Sequence, residues 1–233
     1  MRVALDTRAV DPIGGKPLTS FPELPYESWL PTKETLHRFL QVVGKLRLAS
    51  SPRRNHWWNV PFHLTGAGVT TRPMGSTPIF AVDFDFIDHR LVVATVDSNR
   101  GSFSLLGHSV ATFHRSLVDT LIAVGVDPAP ILDAHPFDLP DADRRFADDT
   151  EHASYDPIAV TTYWQLLSQV NLILEEFCGR FSGKTSPVHH FWHTFDIAAT
   201  RFSDVVVPHE RATDSVTREA YSREVVPSLS MRP

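Results

Sequence analysis

Three of the chain's twelve histidines fall within five residues. They are His189, His190 and His193, in the stretch SPVHHFWHTFDIAATRFS from Ser186 to Ser203. Imidazole changes charge near neutral pH, so such a cluster suits proton transfer or metal ligation. Phe191 and Trp192 stand between the histidines, and Asp196 and Arg201 follow. Polar groups in an apolar run are costly to bury without partners. The stretch is therefore either a functional cluster or a well-satisfied piece of core. His189 and His193 are four apart and share a face on a helix or on a strand. On a helix Asp196 joins them; on a strand Arg201 does. Two imidazoles on one face can reach one ion about 2.0–2.1 Å away. No HExxH is present, and the spacing dictates no third ligand. The competing reading is of core-edge histidines held by backbone carbonyls or by Asp196.

Three further blocks carry candidate chemistry. In EHASYD, His152 suits a general base and Tyr155 a donor to a developing oxyanion, just before a long helical pattern. The bland alternative is a turn that caps the helix, for which Asp156 suffices. In NHWW, His56 shares its alternating face with Trp58 and Val60, as at the rim of an apolar pocket; the alternative is aromatic core. In REAYSREV, Glu219, Tyr221 and Glu224 are candidate ligands, with surface charge as the alternative. Asp83 and Asp85 are cofacial carboxylates about 7 Å apart along a strand, which more often marks a solvated sheet face. The sequence thus nominates His56, His189, His193 and Glu219 as metal ligands. It nominates His152 and Tyr155 for catalysis, and Trp58, Phe191, Trp192 and Arg201 for contact with substrate.

Whole-chain properties narrow the classes. The 233 residues carry a net charge of −5 and include no basic run, so no nucleic-acid partner is expected. Cys178 is the single cysteine, which rules out an intrachain disulfide and cysteine-based zinc sites. No apolar run approaches the roughly 20 residues that span a bilayer, and residues 1–20 lack a hydrophobic signal core. A cytoplasmic protein without a membrane partner is expected. A Walker loop, a GxGxxG followed by a helix and a GxSxG elbow are all missing, which disfavours nucleotide-binding and serine-hydrolase readings.

The elements that must position these residues follow from periodicity. Residues 1–20 read as a flexible leader. Leu36, Phe39, Leu40, Val43 and Leu46 predict a helix over about 32–48, with His37 near its apolar face in a hydrogen-bonded, partly buried setting. Alternation in HWWNVPFHLT predicts an edge or bulged strand, since Pro61 cannot donate to a ladder. Phe80, Val82, Phe84 and Phe86 alternate with Ala81, Asp83 and Asp85, and RLVVATV and SFSLL follow across short turns. An antiparallel meander over about 55–106 results. Ser109 caps a helix with the stripe Val110, Phe113, Leu117, Leu121 and Val124, ended by Gly125. Residues 126–150 read as a long surface loop of the kind that forms lids, with a short strand near Ile131. Asp156 and Pro157 open a helix that runs to Phe177. The histidine stretch leans towards strand. The expectation is one α+β domain over 21–226, an antiparallel sheet against two or three helices, and a short tail at 227–233.

The blocks FPELPYESW, TLHRFLQVVGKLRLASSPRRNHWW, DFDFIDHRLVV, HASYDP, SPVHHFWHTFDIAATRFS and TREAYSREV, in this order, resemble the uncharacterised bacterial family DUF5996 over roughly residues 21–226. The resemblance implies a single-domain unit and no assigned activity. Its pattern carries histidines at the positions of His56, His152 and His189. Two departures weigh against a role for the C-terminal segment: Arg223 stands where the family usually has histidine, and a longer aromatic, glycine-rich tail usually follows. The expected function is a small-molecule enzyme with a pocket lined by His56, Trp58, His152, Tyr155, His189 and Trp192, using a divalent metal of iron or zinc type. The alternatives are metal-free acid/base isomerisation or cyclisation in the same pocket, and a non-catalytic ligand-binding or interaction domain.

Overall fold

A computed structural model describes residues 21–205 and the backbone of 225–231. Its centre is helix α1, Tyr26–Ser50. The apolar positions Leu36, Phe39, Leu40, Val43 and Leu46 are all buried, but so are Thr32, Thr35, His37, Arg38, Gln41 and Arg47. A helix buried on several sides must find partners for its polar residues as well, and those partners define the sites described below. The helix starts six residues before the sequence-predicted Thr32 and takes in Pro31. Pro31 falls in the second turn, so the helix forgoes there the amide that would donate to the Glu27 carbonyl.

The meander is present as five antiparallel strands in sequential order: β1 His63–Leu64, β2 Gly68–Thr70, β3 Phe80–Asp85, β4 Arg90–Thr95 and β5 Arg100–Ser104. β3 pairs with β4 from Phe80↔Thr95 to Asp85↔Arg90. Phe80, Val82 and Phe84 are buried while Ala81, Asp83 and Asp85 are half-buried, the alternation a one-sided sheet requires. Helix α2, Val110–Ala123, is capped by Ser109, whose hydroxyl accepts from the Thr112 amide. A short helix α3, Ala129–Leu132, stands where a strand near Ile131 was expected. Helix α4, Pro157–Gly179, is capped by the Asp156 side chain, which accepts from the amides of Ile158 and Ala159.

Two expectations about the histidine-bearing strands change. HWWNVPFHLT forms strand only at His63–Leu64; Asn55–Trp57 is a 3-10 turn with His56 at φ 58° and Trp57 at φ 57°. Two successive left-handed residues break the period of two, so the apparent alternation there comes from a loop that buries Val60 and Phe62. The stretch from 187 to 202 is a hairpin. β6, His189–Phe191, turns through Trp192–Phe195 into β7, Asp196–Phe202, and β8, Val225–Met231, adds a third antiparallel strand. Residues 227–231, read from sequence as tail, lie in β8. The hairpin joins the meander through reciprocal bonds between Phe62 and His190. Trp192 seats its ring over Gly44, where an added Cβ would lie 2.2 Å from the indole. Gly44 is what lets α1 and the hairpin touch. Among the described residues no helix is long and apolar enough to cross a membrane.

Candidate active site

The polar centre with the most partners lies at the end of the 126–150 loop, around Asp149. This residue is 1% exposed, and a buried carboxylate must be paired and hydrogen-bonded to remain ionised. Its Oδ1 accepts from the amides of Glu151 and His152, each at 3.2 Å, and from Arg144 at 3.4 Å. Its Oδ2 accepts from His152 Nδ1 at 2.8 Å. Arg38 Nε lies 3.5 Å from the same oxygen as an ion pair. Arg38, itself buried in α1, donates to Asp141 Oδ1 at 2.5 Å and to the Glu34 carbonyl. Burial alone would raise the Asp141 carboxyl, but the hydrogen bond and charge of Arg38 outweigh it and hold the group below its usual range.

Two helices fix this geometry. The amides of Val110 and Ala111, in the first turn of α2, donate to the carbonyls of His152 and Asp149. Thr35 and Thr32 of α1 accept from the amides of Ser154 and Asp156. Gln41 of α1 holds both backbone groups of Phe137. The loop expected to act as a lid is thus stitched to α1 and α2, and its buried Phe146 anchors it in the core. Lys33, Glu34, His37, Arg38, Leu139, Pro140, Asp141, Arg144, Glu151 and His152 enclose a cavity of about 380 Å³. With Nδ1–H committed to Asp149, the neutral tautomer of His152 keeps its lone pair at Nε2.

The sequence-nominated residues distribute differently. His152 lines this cavity, Trp58 lines a second and Arg201 a third. Tyr155, three residues from His152, points towards β3 and β4, sharing a 3.1 Å hydrogen bond with His89 Nδ1 and stacking on Phe39. Burial pushes its hydroxyl well above the ordinary phenol range. His56 packs against Trp58 and Phe202. His189 donates from Nδ1 to the Pro187 carbonyl at 2.6 Å, and its Nε2 is buried without a hydrogen bond. His193 lies in the hairpin turn, so it does not share a strand face with His189; its ring contacts Phe137, Phe191 and Trp192. Trp192 is core, donating to the Val60 carbonyl at 3.0 Å. Arg201 donates to the Phe177 carbonyl and lies over the rings of Phe177 and Phe181. Glu219, with Tyr221, Glu224 and the 1–20 leader, lies outside the described residues.

Three candidate metal-ligand atoms converge at one place among the described residues. They belong to Asp141, Asp149 and His152 and lie within 4.8 Å of one another. Of these only His152 was nominated from sequence. The acids of PDADRRFADD are irregularly spaced, and nothing local marks Asp141 and Asp149 as facing Arg38, about a hundred residues earlier. His190 and His37 prove structural. His190 is fully buried against the Tyr163 hydroxyl at 2.9 Å, and His37 donates to the Trp192 and His193 carbonyls. Burial lowers His37 to about 4 and His190 to about 3, so both stay neutral near neutral pH. No curated protein and no solved structure matches the chain. Residues 21–228 match the pattern of DUF5996, a family of unknown function, and on a match over most of its length the chain belongs to that family.

Proposed function

We propose that the chain is a small-molecule enzyme whose chemistry is proton transfer at His152. The observation that carries this reading is the Asp149–His152 pair, a buried carboxylate bound to Nδ1–H at 2.8 Å beside a cavity. A carboxylate in that position fixes the tautomer and stabilises the imidazolium that forms when Nε2 takes a proton. The step it suits moves a substrate proton onto Nε2. Either a C–H bond beside a carbonyl breaks, its pair forming a C=C bond as the carbonyl π pair moves onto oxygen, or an O–H bond breaks, its pair staying on that oxygen, which then bonds to a carbonyl carbon of the same molecule as the π pair moves onto the carbonyl oxygen. Return of the proton to a different atom completes an isomerisation or a ring closure. Lys33 on the cavity wall supplies positive charge for the oxygen that gains electrons.

A metal-dependent reading rests on a separate observation. Asp141 Oδ2 is buried without a hydrogen bond and lies 3.9 Å from His152 Nδ1. With Asp149 it would offer a hard, oxygen-rich site for a divalent cation. It ranks second because Arg38 and Arg144 already neutralise the two carboxylates, and a cation there would compete with both and with the His152 hydrogen bond.

Incubation of the purified protein with a metabolite extract in D2O, followed by mass spectrometry, tests both. The wild type should convert or deuterate at least one compound and continue to do so after chelation, while His152→Gln should not. Loss on chelation with rescue by a divalent ion would favour the metal reading. No conversion by the wild type would reject both and leave a non-catalytic binding domain, and equal conversion by wild type and variant would place the chemistry away from His152.

A further inference from the structure

A second cavity, of about 290 Å³, has a different electrostatic character. Its charged lining consists of Arg47, Arg54 and Arg72, with His63, Asn59 and Trp58 beside them, and among the described residues it includes no carboxylate. Arg47 is 5% exposed, and both its Nε and its Nη1 are buried without a hydrogen-bond partner. No acid among the described residues stands against it, and a buried guanidinium without a counter-charge is among the most costly arrangements a fold can hold. Burial, and then the nearby Arg72, lower the Arg47 pKa to about 10. His63, also 5% exposed, bonds the Val188 backbone and keeps Nδ1 buried without a partner.

The backbone holds these cations in place rather than letting them diverge. Arg72 adopts φ 60°, a left-handed conformation that strains a non-glycine residue. It is pinned there on both sides: its amide donates to Thr70 Oγ1 at 3.0 Å and its carbonyl accepts from Thr71 Oγ1 at 2.9 Å. The Arg54 amide donates to the buried Asn59 side chain. Strain kept at a residue that brings one cation towards another points to a ligand that rewards the approach.

We propose that this cavity binds the phosphate group of a small molecule, or free phosphate, with Arg47 as the buried anchor, Arg54 and Arg72 at the rim, and the Trp58 indole against the attached body. Guanidinium forks match phosphate oxygens in pairs. A singly protonated phosphate also carries one O–H, which suits the open Nδ1 of His63. The site is separate from the His152 cavity and stands whether or not that cavity is catalytic.

Isothermal titration calorimetry of the full chain with inorganic phosphate, and in parallel with glycerol phosphate, at constant ionic strength tests the proposal. One saturable site is expected. Arg54→Gln and Arg72→Gln should each weaken binding about tenfold while circular dichroism is unchanged. These rim variants carry the test, because Arg47→Gln bears on the core. Arg144→Gln, in the His152 cavity, should leave phosphate binding as it is. Tighter binding of glycerol phosphate would identify a phosphorylated molecule as the ligand, and tighter binding of inorganic phosphate the free anion. Absence of saturable heat at millimolar ligand, or a double variant Arg54→Gln/Arg72→Gln that binds like wild type, or loss of binding in Arg144→Gln, would overturn the proposal.

Discussion

The hairpin at 189–196 and the turn at 149–152 both place histidine beside aspartate, yet they use it in opposite ways. In the hairpin the rings pack on Phe191, Phe195 and Tyr163, and their bonds run to Pro187 and to the Tyr163 hydroxyl. The Asp196 carboxylate accepts from Thr194. Burial then keeps His189 and His190 below their ordinary pKa. In the turn the single ring of His152 is bonded by a carboxylate, partly exposed, and set on a cavity wall. Density of histidine marks the first region; a carboxylate acceptor on a partly exposed ring at a cavity wall marks the other. A proton-transfer residue needs the latter combination.

The comparison breaks most visibly at Asp149. Asp149→Ala leaves the buried Arg38 without one of its counter-charges, takes the Nδ1 acceptor from His152, and leaves Arg144 paired with Glu151. Removal of one member of such a buried network should cost about 3–5 kcal/mol in urea-induced unfolding. A change below about 1 kcal/mol would mean that the turn is not the polar hub described here.

Tyr163→Phe probes the other region. It leaves His190 Nε2 buried without its bond, and should cost about 1–3 kcal/mol by the same measurement. If the variant is as stable as wild type, the hairpin histidine is less tightly sealed than its burial implies.

The buried neutral histidines also give a pH signature. His37, His63 and His190 are lowered from 6.5 to about 4, 3 and 3. Below 6.5 the unfolded chain takes up protons at these sites and the folded chain does not. Their contribution is therefore intact above pH 6.5 and is lost as pH falls towards 4. The slope is at most about 1.4 kcal/mol per pH unit for each histidine. Unfolding free energies at pH 7.5 and 5.0 should show the decline, and His37→Gln should make it shallower. A stability that stays flat over this interval would contradict the assignment of sealed, neutral rings.

Much of the fold was legible because it is written locally. The alternation over Phe80–Phe86 predicted β3, the Ser109 cap predicted α2, and Asp156-Pro157 predicted α4. The 56–65 strand failed because left-handed backbone at His56 and Trp57 leaves no trace in a hydrophobic pattern. His152 was legible as a helix-start histidine next to acids, and His37 as a satisfied one. Asp141, Asp149 and Arg38 were not, because their meaning lies in contacts across about a hundred residues. In the sequence Arg47 is only a cation near a helix end; that it is buried, with Arg72 nearby, is a fact of the tertiary structure. The cofacial Asp83 and Asp85 prove ordinary: Asp85 accepts from the amides of Ile87 and Asp88 and caps a turn.

The most direct measurement is solvent-deuterium incorporation into the converted compound by wild type, His152→Gln and His189→Gln, each first shown to be folded by circular dichroism. The account predicts that His152→Gln loses about 10²–10⁴-fold of the exchange rate, while folded His189→Gln keeps a rate within a few-fold of wild type. Exchange that survives in His152→Gln and disappears in folded His189→Gln would return the chemistry to the hairpin and contradict it.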